Sequence, residues 1–83
     1  MTPHATYHVH YFGLLEDRRG LREESVQSTA GTPLALCTEI NARHPLGMQT
    51  ADFRAVVNDA FVSWEHPLVH DDHVAFLPPM SGG

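Results

Sequence analysis

The stretch "GTPLALCTEINARHP", residues 31–45, is where helical periodicity is clearest in the chain. Thr32 is placed to cap a helix with its hydroxyl. Pro33 suits the first helical position, because its φ is already helical and its missing N–H is not needed there. Leu36, Cys37 and Ile40 then recur at helical spacing as an apolar stripe, with Leu34 at its edge. Pro45 cannot continue the helix and biases His44 away from helical geometry. The only other helical reading is a short turn, so a single main helix must shelter one face of whatever the strands build. That makes the fold class α+β.

Working outward, residues 5–12, "ATYHVHYF", alternate as a strand, with Tyr7, Val9 and Tyr11 on one face and His8, His10 and Phe12 on the other. Residues 13–22, "GLLEDRRGLR", are polar, charged and bracketed by glycines, which predicts a short helical turn and a loop. Residues 23–29, "EESVQST", carry a weaker strand signal. After the helix, residues 45–51 read as a loop. "FRAVV" (53–57) and "AFVSW" (60–64) flank Asn58 and Asp59, a pair that tolerates turn geometry. "EHPLVHDD" (65–72) is a polar connection whose Pro67 excludes a central strand. "HVAFL" (73–77) is the last strand. In this order of elements, a first and a last strand lying parallel in the middle of the sheet would suit a β-grasp arrangement.

Size and composition narrow the function classes. The chain has 83 residues, enough for one domain. No apolar stretch approaches the length of a membrane span, and "MTPHATYHVH" lacks the pattern of a secretory signal, so a cytoplasmic location is expected. Cys37 is the only cysteine, which rules out an internal disulfide. Ten acidic residues against five basic ones give a formal charge of −5. That balance argues against nucleic acid and suits a protein partner with a basic face. The basic residues are Arg18, Arg19, Arg22, Arg43 and Arg54; there is no lysine, and hence no ε-amine for Schiff-base chemistry or for an isopeptide bond.

If Val9, Tyr11, Val57, Val62, Val74 and Phe76 point at the helix, their neighbours point away from it. Those neighbours include Phe12, Phe61 and Leu77, three large apolar side chains on the side with no helix. They are either partly covered by loops or form an interaction patch. Arg54 falls on the same face, where it is either simply solvated or available to a partner's carboxylate.

The chain ends on "VAFLPPMSGG", residues 74–83. Two prolines stiffen the exit from the strand, and two glycines place no side chain beside the final carboxylate. Taken alone, such an end reads as a frayed terminus. Its setting changes that reading. Val57-Asn58, Pro67-Leu68, Asp71-Asp72, Val74-Ala75 and the ending "PPMSGG" together resemble the C-terminal third of the molybdopterin synthase small subunit family, ubiquitin-like sulfur carriers of the MoaD/ThiS type. The family commonly has glycine where this chain has Asp71, and an acidic residue where it has His73. Asp71 can adopt the left-handed geometry that the turn requires, at some cost.

The resemblance implies a ubiquitin-like β-grasp domain over residues 1–77, with a mixed sheet of four to five strands and one main helix on one face. A flexible tail, residues 78–83, would follow. It implies a carrier whose C-terminal glycine, Gly83, is adenylated by an E1-like enzyme of the MoeB type using ATP. A persulfide donor then converts it to a thiocarboxylate. Gly82, Ser81, Met80, Pro79 and Pro78 would form the arm threaded into the large subunit (MoaE) of a heterotetramer. There the sulfur would pass to cyclic pyranopterin monophosphate. Phe12, Phe61 and Leu77 would be the partner-docking patch. The chain itself would bind no cofactor and supply no catalytic side chain. The same framework also serves carriers for thiamine, tRNA thiolation or cysteine synthesis, and non-sulfur ubiquitin-like modifiers or binding modules.

Two further signals compete. Seven histidines suggest a metal, with His8 and His10 on one strand face and His66, His70 and His73 around the Asp71-Asp72 turn. A metal needs several ligands converging on one point, which a single loop rarely achieves, so these read as surface groups and no metal site is assigned. Cys37 lies on the apolar stripe of the helix without an activating neighbour, which reads as core rather than nucleophile.

Overall fold

The computed structural model describes residues 4–78. Its elements in chain order are β1 (Ala5–His10), α1 (Leu14–Arg19), β2 (Glu23–Ser28), α2 (Pro33–Arg43), a 3-10 turn (Thr50–Asp52), β3 (Arg54–Val57), β4 (Ala60–Val62) and β5 (His73–Leu77). One five-stranded sheet runs in the order β2-β1-β5-β3-β4. The first and last strands lie parallel at its centre, with His8 opposite His73 and His10 opposite Ala75, and every other pairing is antiparallel. This is the mixed-sheet β-grasp arrangement that the element order pointed to.

Helix α2 forms as its sequence dictates. The Thr32 hydroxyl accepts from the Ala35 N–H at 3.2 Å, and Pro33 takes the first turn. The helix ends when His44 adopts extended backbone ahead of Pro45. Pro33, Leu36, Cys37 and Ile40 are buried against one sheet face, where Tyr7, Val9, Val26, Val57, Val74 and Phe76 meet them. Each fully buried aliphatic side chain in this layer contributes about 1.5–3 kcal/mol, so a domain this small needs nearly all of them. Two backbone bonds fix the start of the helix to the connection between β4 and β5: Leu34 N–H donates to the Trp64 carbonyl at 3.0 Å, and Leu68 N–H to the Gly31 carbonyl at 2.9 Å. The Trp64 ring stacks on Phe76 at 5.7 Å and closes the edge of the core.

The structure departs from the sequence reading mainly at element ends. β1 stops at His10, β2 at Ser28 and β4 at Val62 rather than at residues 12, 29 and 64. The 45–51 loop is anchored rather than loose, and a 3-10 turn begins inside it. Leu46 and Met48 are buried, the Asn41 amide brackets Met48 by accepting from its N–H and donating to its carbonyl, and Arg18 donates to the Leu46 carbonyl at 2.6 Å. Two polar side chains thus satisfy loop backbone that would otherwise be stranded next to the core.

Candidate functional site: the sheet face without a helix

Alternation carries the odd-numbered core residues of β1 to the helix side and leaves His8 and His10 outward, with Phe12 following them. On β3 and β4 the turn sets the register. Asn58 and Asp59 both have positive φ, 50° and 69°, the requirement of a type I′ hairpin. The two-residue turn pairs Val57 with Ala60 and Val56 with Phe61. Val56 in turn pairs with Ala75, and Ala75 with His10. A row of Glu23, His10, Ala75, Val56 and Phe61 therefore crosses the whole outer face.

This face is concave and apolar at its centre. A shallow depression of about 550 Å³ is lined by His10, Phe12, Val56, Phe61, Ala75 and Leu77, among others. Phe12 and Phe61 are 51% and 63% exposed, far more than an aromatic ring in a core, while Leu77 is half-buried. The three apolar residues singled out from the sequence thus rim one depression. Val56 and Ala75 complete its floor and were missed, although the hairpin register alone would have found Val56. Phe12 also borders a second, smaller apolar cleft of about 160 Å³, shared with Leu14, Phe53 and Pro78. Pro78, the first residue of the expected arm, is the last described residue. Pro79, Met80, Ser81, Gly82 and Gly83 lie outside the described residues.

The depression is braced by a polar network. Asp72 is buried; one of its carboxylate oxygens accepts from the Asn58 amide at 2.9 Å and the other from the Val69 N–H at 2.8 Å. Asn58 accepts from the His73 N–H through its side chain and donates its own N–H to the His73 carbonyl. The hairpin turn is thereby fixed to the start of β5, which ties the position of Phe61 to that of the strand leading into the tail. Asp71 takes φ 71°, the left-handed conformation expected of it, and donates its N–H to the Thr6 carbonyl at 2.7 Å.

The histidines are brought together more closely than the sequence suggested. His73 stacks between His8 and His10 at ring distances of 4.7 and 5.2 Å, and His10 Nε2 meets His73 Nδ1 at 2.9 Å. One nitrogen of that pair must donate and the other accept, so at least one ring is neutral when the bond exists. Among the described residues, no group of three or more histidine, cysteine or acidic side chains is placed to hold a metal ion. Cys37 is buried, and burial pushes its thiol up to about 11, so at neutral pH it is a protonated core side chain. Among the described residues no helix is long and apolar enough to cross a membrane.

Comparison with known proteins bears on both the face and the tail. A family model described as the ThiS family matches residues 9–83. The molybdopterin synthase sulfur carrier subunit of Escherichia coli (strain K12) is 44% identical over 41 residues, which span 49% of this chain and 51% of that protein. The chain thus matches about half the length of that relative. Among solved structures, a provisionally assigned molybdopterin converting factor subunit 1 from Pyrococcus furiosus superposes with a TM-score of 0.79 at 28% identity, covering 92% of this chain and 99% of that one. A complex of subunits 1 and 2 of molybdopterin-converting factor from Helicobacter pylori contains a chain that matches with a TM-score of 0.61 at 23% identity, covering 94% and 99%, a likeness of fold.

Proposed function

We propose, from the premise that this chain belongs to the ThiS family, that it is the sulfur carrier of a molybdopterin synthase. The observation that carries the reading is the extent of the family match, residues 9–83, which takes in the Pro-Pro-Met-Ser-Gly-Gly segment together with the β-grasp body. The identity to the Escherichia coli carrier supports the molybdopterin branch over other sulfur carriers.

In this reading the reacting group is the carboxylate of Gly83. A carboxylate is a poor electrophile with no good leaving group. An E1-like enzyme therefore spends ATP to form the acyl-adenylate with release of pyrophosphate. The outer sulfur of a persulfide then forms the C–S bond as AMP departs, and a thiol cleaves the remaining S–S bond to free the thiocarboxylate. Its sulfur is nucleophilic at neutral pH and passes to cyclic pyranopterin monophosphate inside the large subunit. Gly82 and Gly83 present no side chain to a narrow channel, and Pro78 and Pro79 limit the conformations that the arm loses on entry. Proton transfers fall to the partner, and ATP is bound by the activating enzyme.

The folded body serves as the handle. The depression rimmed by Phe12, Phe61 and Leu77 is the docking surface, and its contiguous apolar area is what a standard interface buries at its centre. A subunit 1–subunit 2 complex exists for the Helicobacter pylori protein, and the corresponding large subunit is the partner proposed here. Phe61→Asp is expected to weaken that association by about tenfold or more, because it places a charge within the apolar patch. Its thermal unfolding should stay near wild type, since the side chain is exposed. The pathway is tested by mixing the purified chain, its activating enzyme, ATP and a sulfur donor with the large subunit and the pterin precursor. Molybdopterin formation is expected. Isopeptide conjugates on lysines of other proteins, with no pterin product, would replace this reading with that of a modifier.

A further inference from the structure

Four of the five arginines have an acceptor within the described residues. Arg19 pairs with Glu24 at 2.9 Å, Arg22 with Glu16 at 3.8 Å, Arg43 with Glu39 at 3.6 Å, and Arg18 donates to the Leu46 carbonyl at 2.6 Å. Arg54 has none among the described residues. It opens β3 opposite Leu77, on the outer face, and its guanidinium carbon lies 5.0 Å from the centroid of the Phe61 ring. Stacking on an aromatic face pins the planar group while leaving its N–H edge exposed. The result is an oriented hydrogen-bonding fork at the rim of an apolar depression.

We infer that Arg54 is a specificity contact of the docking face, and that it receives an aspartate or glutamate side chain of the large subunit. The inference rests on the docking surface proposed above. A partner that covers Phe61 and Leu77 also strips water from the guanidinium stacked on Phe61. A charge desolvated without a counter-charge opposes binding, so a complementary partner must supply an anion at that point. A carboxylate fits the fork with two parallel bonds, which sets orientation as well as charge. The site also runs against the net sign of the chain. The chain carries ten acidic residues against five basic ones, which draws it to a basic partner at long range. A lone arginine in the acidic field then rewards only the register that brings a carboxylate to it.

The absence of lysine makes the test selective. Arg54→Lys would introduce the only lysine in the chain. In the complex with the purified large subunit, a zero-length carbodiimide joins that amine to a carboxylate in contact with it, forming an amide with loss of water. Peptide mapping should find residue 54 coupled to one aspartate or glutamate of the large subunit. In parallel, Arg54→Met keeps a side chain over Phe61 but removes the charge and the donors; its dissociation constant should rise by about tenfold or more. Arg43→Met, on the helix, should bind as wild type does. Unchanged affinity in Arg54→Met, or no coupled peptide that contains residue 54, would overturn the assignment. If Phe61→Asp abolishes binding while Arg54→Met does not, only the role of Arg54 falls. If neither change affects binding, the docking surface itself is wrong.

Discussion

Glu24 is a carboxylate whose ionisation is tied to the fold by two partners, Arg19 and Tyr11. Arg19 donates to both of its oxygens at 2.9 Å, and the Tyr11 hydroxyl donates to one of them. The hydrogen bonds from Arg19, ahead of that from Tyr11, hold the Glu24 carboxyl below its ordinary pKa despite partial burial. The Tyr11 phenol is pushed up, first by burial and then by its bond to Glu24. Because the folded Glu24 value is lowered, its stabilisation is complete above the ordinary glutamate range and is lost as pH falls through the folded value. Glu24→Gln should therefore cost about 1–3 kcal/mol at neutral pH, and the gap to wild type should close on acidification. Thermal unfolding scans of both proteins across that range check it. Cys37 makes the opposite demonstration: with its thiol held up near 11, it should resist alkylation at about pH 8 until denaturant unfolds the chain. The core position of Cys37 was legible from helical spacing. The Arg19–Glu24–Tyr11 triad was not, because the turn between α1 and β2 that brings Arg19 and Tyr11 together on Glu24 has no clear local signal.

The β3–β4 hairpin decides where Phe61 and Val56, residues of the proposed docking surface, sit. Its two-residue turn, Asn58 and Asp59, sets the pairing that puts Phe61 beside Val56 on the outer face. Both turn residues sit at positive φ, which asparagine and aspartate accept and a β-branched residue does not. Asp59→Val should destabilise the domain by about 1–2 kcal/mol, whereas Asp59→Gly should leave it unchanged or firmer. Urea denaturation of the two variants separates these outcomes. Strand identities, the main helix and the outward placement of Phe12, Phe61 and Leu77 were readable because alternation and capping are local signals, whereas the burial of Leu46 and Met48 and the packing of Trp64 were not. The strand ends were not, since they depend on where a neighbouring strand stops. Nor was the bracing of the turn by Asn58, Asp72 and the His73 backbone, which joins residues 14 and 15 positions apart. The clustering of His8, His10 and His73 likewise needed the parallel pairing of the first and last strands.

As a whole, the molecule divides its labour. One sheet face is spent on the core with α2, and the other presents a shallow apolar depression with Arg54 at its rim. β5 (His73–Leu77) leads from the braced turn to Pro78, so part of the proposed docking face and the root of the proposed arm lie on one strand. Under the proposed function, that layout would give the body the part of positioning the terminus. The most direct measurement is the intact mass of the chain after incubation with its activating enzyme, ATP and a sulfur donor, compared with a variant lacking Gly83. Wild type should gain the difference between one sulfur and one oxygen atom. The truncated variant should gain nothing while giving the same circular dichroism spectrum. A truncated chain that still takes up sulfur, or still supports molybdopterin formation, would contradict the claim that Gly83 carries the reaction.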